Sequence, residues 1–396
     1  MTEGKLAITR RTLLGTAMGG AALSLAPGLI GRAAAAAGEF KIGLFIPLSG
    51  PASLFGPTGR ACATLAADEA NKKGGILGRQ IKLFIADAGG PPADTAKSAV
   101  RLMLQDGIDL AIGSHDSATM EALVSTFKGK IPYVYTPVYQ GGECDFNVYC
   151  LGETPAQQVE PSVTWLARNK HAKTFYLIGD DYVSPRKTNE AAKKYIAAVG
   201  GKVVGEEYVP FGAPNKFEQS VTRIKGVNPD VVLITLVGAD NVNFNRTFAG
   251  FGLDKSIARL SMLLEENTLK GIGAESSNNL YSCMAYFAAI DNPANNAFKA
   301  AYTAMFGANA PQLGTIGVDS YAGVNFAKAL VEKAHGTNAR KCMAASEGVR
   351  FEAAAGPVTM HGRQVDKNMY LANCNGGQFN IVATFKNMKS GTTCKV

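Results

Sequence analysis

The run Phe40-Lys41-Ile42-Gly43-Leu44-Phe45-Ile46-Pro47, followed by Leu48-Ser49-Gly50-Pro51-Ala52-Ser53-Leu54-Phe55-Gly56, decides the fold. A short apolar strand empties into a polar, glycine-bearing loop that leads to a helix over 59–72. There Leu65, Ala66, Glu69 and Ala70 recur at helical spacing. The rhythm repeats with a strand at 81–86, a helix at 94–105, a strand at 110–113, a helix at 118–127 and a strand at 133–136. It restarts with a strand at 174–179 and a helix at 185–199 closed by Gly200-Gly201. A strand at 202–209, a helix at 216–225 and a strand at 231–235 follow. Strands alternating with such helices imply parallel sheets covered on both faces, and two runs parted near 152–161 imply two α/β lobes. Helices at 295–306 and 320–335 come next, then a hairpin whose Gly376-Gly377 turn joins 369–373 to 379–385.

The first forty residues speak to location. Arg10 and Arg11 precede an apolar stretch, 13–30, with five glycines or prolines between Gly15 and Gly28, and the alanine block 33–37 offers an A-x-A cut. This pattern predicts a twin-arginine export signal over 1–37 and a periplasmic mature protein; a membrane anchor is the competing reading. Hydrophobic residues make up 46% and charged residues 18%, a globular balance. The net charge of +8 is spread along the chain, which argues against nucleic acid as a partner.

Seven cysteines in an exported chain are read as disulfide candidates. Cys144 and Cys150 are the easiest pair to close, Cys342 with Cys374 a second, and Cys283 with Cys394 a third. Cys62 sits on a helical pattern as a buried free thiol, and no C-x-x-C spacing points to zinc or redox chemistry.

In open α/β sheets ligands bind beyond the carboxyl ends of strands, so the loops there are the candidates. They are 48–56, Gly113-Ser114-His115-Asp116-Ser117, Tyr133-Val134-Tyr135-Thr136-Pro137-Val138-Tyr139 and Gly179-Asp180-Asp181-Tyr182. Asp116 or Ser117 also suits a helix N-cap. Tyrosines from both lobes suit a cleft that closes on a small polar guest, because each offers an apolar wall with a hydroxyl. Enzyme signatures are missing. The chain has no GxSxG, HExxH, GxGxxG or P-loop, and its four histidines lack metal-like spacing. Neighbours on a chain rarely share one site, so one of the adjacent Glu265 and Glu266 is expected to face solvent.

Taken together, these residues resemble the urea- and short-amide-binding branch of the type I periplasmic binding proteins, a group that includes the leucine/isoleucine/valine receptors of ABC importers. The likeness is densest over 135–143, over Gly152-Glu153-Thr154-Pro155-Ala156-Gln157-Gln158, over 179–189, over 200–210 and at Ala355-Gly356-Pro357-Val358. It implies an α/β fold of two doubly wound parallel-sheet lobes joined by a three-strand hinge. Lobe 1 would hold 38–155 plus 284–345, and lobe 2 would hold 156–283 plus 346–396.

The family's pocket falls here on Ser117, Tyr135, Tyr139 and Tyr182, with Val237, Gly238, Leu263 and Glu265 on the second lobe. His115 and Ser184 stand where the family has aromatic residues, and Leu263 and Leu264 stand where the amide sensors have threonines. The resemblance implies a non-enzymatic receptor without metal or cofactor, monomeric or weakly dimeric, that hands its ligand to a membrane-embedded ABC permease. Urea or a short amide ranks first as ligand, an amino acid or small, even aromatic, carboxylate second. A cytoplasmic amide-sensing regulator and an enzyme on the same fold are the competing functions.

Overall fold

The computed structural model describes Met1, residues 38–214 and 216–392, and Cys394. Apart from Met1, the leader read over 1–37 lies outside the described residues. Among those described, no helix is long and apolar enough to cross a membrane.

The first sheet carries β1 (Phe40–Ile46), β2 (Ile81–Asp87), β3 (Leu110–Gly113), β4 (Tyr133–Tyr135) and β5 (Val148–Cys150). They are all parallel, in the order β2-β1-β3-β4-β5. The crossovers are α1 (Gly56–Lys72), α2 (Pro92–Arg101, continued by one π turn over Leu102–Asp106) and α3 (Ser117–Phe127). Alternation along β1 sends Ile42 and Leu44 to a core with Ala63 and Ala66. Phe45 goes to the opposite face, with Ala99, Leu123 and Phe127. Both faces are therefore covered, and each fully buried large side chain contributes roughly 1.5–3 kcal/mol.

The second sheet follows α4 (Pro155–Asn169). Its units are β6 (Thr174–Asp180), α5 (Val183–Ala198), β7 (Lys202–Val209), α6 (Glu218–Val227), β8 (Val231–Thr235), α7 (Ala239–Gly250), β9 (Ala258–Ser261), α8 (Glu266–Ile272) and β10 (Leu280–Met284). The chain then returns to the first lobe through α9 (Pro293–Phe306), α10 (Thr315–Ala334) and α11 (Ala339–Ser346). It ends in β11 (Arg350–Ala353), β12 (Gly356–His361), β13 (Gln364–Asn375) and β14 (Gln378–Met388). The order is β11-β12-β13-β10-β9-β8-β6-β7, with β14 on β13. The β13–β14 hairpin turns at Gly376-Gly377, both at positive φ. Phe175, Leu177 and Leu233 face α4 and α5, while Ile178, Val232 and Ile234 face Val221, Phe244 and Phe248.

The stretch 152–161, where the two runs part, carries the start of α4 between the first sheet and the second. Pro155 opens the helix, and the Thr154 N–H donates to Gln157 Oε1 at 3.1 Å. The paired glutamines then fix the helix to the sheet. Gln157 Nε2 donates to the carbonyls of Val365 (2.9 Å) and Met388 (3.0 Å), and Gln158 Nε2 donates to Cys283 O (2.8 Å).

The chain leaves the first sheet after β5, packs α9 and α10 against α1 after β10, and rejoins the second sheet at β11 after α11. Glu153 joins these passages. Its Oε1 accepts the Ala285 N–H at 2.9 Å, and its Oε2 lies 3.8 Å from Lys367 Nζ.

The disulfide differs from every expected pair. Cys144 bonds Cys394, 250 residues away, with Cα atoms 5.3 Å apart. Cys150 is unavailable to Cys144 because β5 buries it among Tyr133, Tyr135 and Tyr139. Cys283, Cys342 and Cys374 are likewise buried and free, as is Cys62.

Candidate functional site

The loops at the carboxyl ends of both sheets enclose a cavity of about 410 Å³. The first lobe contributes Pro51 and Phe55 after β1, Pro91 after β2, His115 to Ala118 after β3, and Pro137 and Val138 after β4. The second contributes Tyr182 after β6, Phe211 after β7, Val237 after β8 and Leu263 after β9, and Ile316 of α10 lies between. Phe55, Val237 and Ile316 pack as one cluster, with Tyr182, Phe211 and Leu263 against it, so apolar side chains of both lobes meet there.

The polar end of the cavity is built from the start of α3. Asp116 caps the helix: its Oδ1 accepts the Thr119 N–H at 2.9 Å and its Oδ2 accepts Thr119 Oγ1 at 2.7 Å. His115 Nδ1 lies 3.0 Å from Asp116 O, which can only accept, so Nδ1 carries the proton and Nε2 accepts from Tyr133 OH at 3.0 Å. Burial lowers the imidazole pKa against the opposing pull of Asp116, and the ring stays neutral. Tyr135 OH donates to His115 O at 2.6 Å, and Ser117 Oγ donates to Gln140 Oε1 at 2.7 Å.

On the other lobe Tyr182 precedes α5 and packs against Phe211, the rings tilted by 34° with centroids 5.0 Å apart. Burial, then the charge of Asp180, pushes its phenol well above the usual range. Behind it Asp180 Oδ2 accepts the Val237 N–H at 2.8 Å, and burial plus the Asp240 charge pushes the Asp180 carboxyl up to about 9.

Six of the expected site residues thus line one cavity: His115, Ser117, Tyr135, Tyr182, Val237 and Leu263. Four do not line it. Tyr139 turns into the interior, where its hydroxyl donates to Gln364 Oε1. Ser184 is buried in the first turn of α5. Gly238 is the N-cap of α7, pressed against the opposite lobe. Glu265 caps α8, with Oε1 accepting the Thr268 N–H at 2.8 Å and Oε2 accepting Asn267 Nδ2 at 2.8 Å. Neither member of the Glu265-Glu266 pair reaches solvent. Glu266 is also buried, and its Oε1 accepts the Ala288 N–H at 2.6 Å. Phe211 and Ile316 had not been expected, while Phe55 belongs to the candidate loop 48–56. The Pro210-Phe211-Gly212 turn directly after a strand was the available signal for the first of them.

A profile described as "Periplasmic binding protein" matches residues 39–378. The chain belongs to the periplasmic binding protein family. Among relatives of this periplasmic binding protein, Leu/Ile/Val-binding protein homolog 3 of Brucella melitensis is 26% identical over 336 residues, covering 83% of this chain and 89% of the relative. Leu/Ile/Val-binding protein homolog 6 of the same organism is 25% identical, covering 86% and 89%. Two solved structures share the fold. A Rhodopseudomonas palustris ABC-transporter solute-binding protein, in complex with 4-hydroxybenzoate, superposes with a TM-score of 0.79 at 22% identity, covering 89% of this chain and 98% of that one. A branched-chain amino acid transporter substrate-binding protein of Streptococcus pneumoniae, in complex with isoleucine, gives 0.76 at 20%, covering 88% and 99%.

Proposed function

We propose that this protein is the extracytoplasmic receptor of an ABC importer and that its ligand is a hydrophobic amino acid, branched or aromatic. The wall chemistry carries the reading. The cavity is framed by proline, phenylalanine, valine, leucine and isoleucine side chains; Asp116 is its one carboxylate, and no lysine or arginine lines it. Burying an apolar ligand body gains about 25 cal/mol per Å². The ligand ammonium meets Asp116, and its carboxylate meets the free N–H groups at the start of α3. A simple aromatic acid brings a negative charge to a cavity that offers no cation. Urea, with four heavy atoms, has a ceiling of about 6 kcal/mol and leaves most of the space unfilled. The names of the Brucella relatives support an amino acid.

The same reading includes export of the protein to the periplasm by the leader over 1–37, two lobes divided at 155, 283 and 345, a non-catalytic role, and docking on a membrane permease.

Calorimetry of the mature protein with leucine, phenylalanine, 4-hydroxybenzoate and urea tests the ligand. One-to-one binding of an amino acid, weakened at least tenfold by Asp116→Asn, is expected; asparagine keeps the helix cap. Binding of urea or 4-hydroxybenzoate with no amino acid bound would replace this reading.

A further inference from the structure

A second cavity of about 410 Å³ lies at the hinge, and none of the residues that line it lines the cleft. The first turn of α10 divides the two, with Ile316 on the cleft side and Val318 and Asp319 on the hinge side. Its walls are mixed: Leu151, Ala322 and Phe351 give an apolar side, and Asp319, Asp366 and Lys367 a polar one. Into them is set the buried carboxyl group of Asp319. Asp319 is only 7% exposed, and its Oδ2 has no hydrogen bond. Glu153 Oε2 is also buried without a hydrogen bond, and the ammonium nearest to it, Lys367 Nζ, is 3.8 Å away. The other acid lining the cavity, Asp366, is already paired with Lys389. Asp319 and Glu153 therefore share a single lysine, one positive charge short of balance.

An unpaired buried carboxylate is costly. Burial first and the charge of Glu153 next push the Asp319 carboxyl well above the usual range. A metal ion does not fit, since no group of three or more metal-ligating side chains occurs among the described residues. An alkylammonium fits both features, bringing three donors for the carboxylate and a chain for the apolar wall.

We propose that the hinge cavity is a second small-molecule site, distinct from the cleft, that takes a short primary amine, with Asp319 holding the ammonium. The site does not depend on the identity of the cleft ligand. Because α10 walls both cavities, an occupant here presses on the element that carries Ile316.

The test is calorimetry of the mature protein with n-butylammonium chloride, with 1-butanol and sodium butyrate as neutral and anionic counterparts. One equivalent of amine should bind while neither counterpart does. Asp319→Asn should weaken the amine at least tenfold, and Asp116→Asn in the cleft should leave it unchanged. Ala322→Leu fills the hinge cavity without touching a charge and should also abolish amine binding, so the conclusion survives if the Asp319 variant folds poorly. Absence of amine binding, equal binding of 1-butanol, or loss with Asp116→Asn but not with the hinge variants would overturn the proposal. None of these results bears on whether an amino acid binds the cleft.

Discussion

The backbone N–H of Ala239, at the start of α7 in the second lobe, donates to the carbonyl of Pro51 in the first lobe at 3.2 Å. This contact crosses the mouth of the cleft. It is possible because the preceding residue is Gly238, at φ 55°, where an added Cβ would lie 2.1 Å from the same Pro51 oxygen. The lobes can approach this closely only over a residue without a side chain.

Gly238→Ala should therefore prevent full closure. Positive φ adds about 1–3 kcal/mol of strain, and the clash with Pro51 falls on the closed form in addition. Ligand affinity should drop at least tenfold, and the melting temperature without ligand should fall by a few degrees. Calorimetry paired with small-angle scattering would check this, and a variant that binds and compacts like the parent would refute it.

Tyr182 and Phe211 form the aromatic wall of the second lobe. Tyr182→Phe keeps the ring contact and should cost less than threefold in affinity. Tyr182→Ala removes the wall and should cost tenfold or more, with the circular dichroism spectrum unchanged. Equal losses in the two variants would mean that the hydroxyl, not the ring, holds the ligand.

Asp180 gives a pH signature. Its carboxyl is raised from the usual 3.8 to about 9 by burial and by Asp240. The folded state thus keeps a proton that the unfolded chain releases, and the stability this contributes below pH 4 is lost progressively as the pH rises towards 9. Asp180→Asn can still accept the Val237 N–H and has no carboxyl to ionise. Urea midpoints measured at pH 5 and pH 8 should fall less between the two in the variant. Some slope should remain from Glu266, raised to about 8 by burial and Glu265. Parallel slopes would mean that Asp180 ionises freely in the fold.

The Cys144–Cys394 bond closes a loop of 250 residues, for which chain entropy gives about 5 kcal/mol as an upper figure. Replacing both cysteines with serine should lower the melting temperature by several degrees. The remaining five thiols are all buried, with burial raising Cys150 and Cys283 to about 12 and Cys342 to about 11. Thiol titration should find none reactive in the native protein and five after denaturation.

The parallel strands were legible because burial on both faces leaves short apolar runs with clear ends; β3, β7 and β8 have the bounds their sequences suggest. Helix α7, strand β9 and strand β10 were not. Polar residues such as Asn241, Asn245 and Arg259 are buried there and hydrogen-bonded within the interior: Arg259 Nη1 donates to Asn245 Oδ1 at 2.8 Å and Asn241 Nδ2 to Ser261 Oγ at 2.9 Å. That masks the apolar periodicity. Four of the site residues, His115, Ser117, Tyr135 and Tyr182, could be found from strand ends alone, whereas Val237 and Leu263 came with the family resemblance. Glu265 and Tyr139 misled because a buried polar group in the right loop can serve a helix cap or a core hydrogen bond as well as a ligand. The cysteine pairing was illegible because proximity along the chain favoured Cys150, whereas folding brings in the tail.

That tail has a mechanical consequence. Cys144 follows a strand of the first sheet, and Cys394 follows β14 of the second, so the bond is a covalent strap beside the peptide connections. Five residues lie between the end of β14 and Cys394, a leash of roughly 20 Å when taut. However the jaws swing, their travel on that side is bounded, and the arc of opening is partly set by the redox state of the compartment.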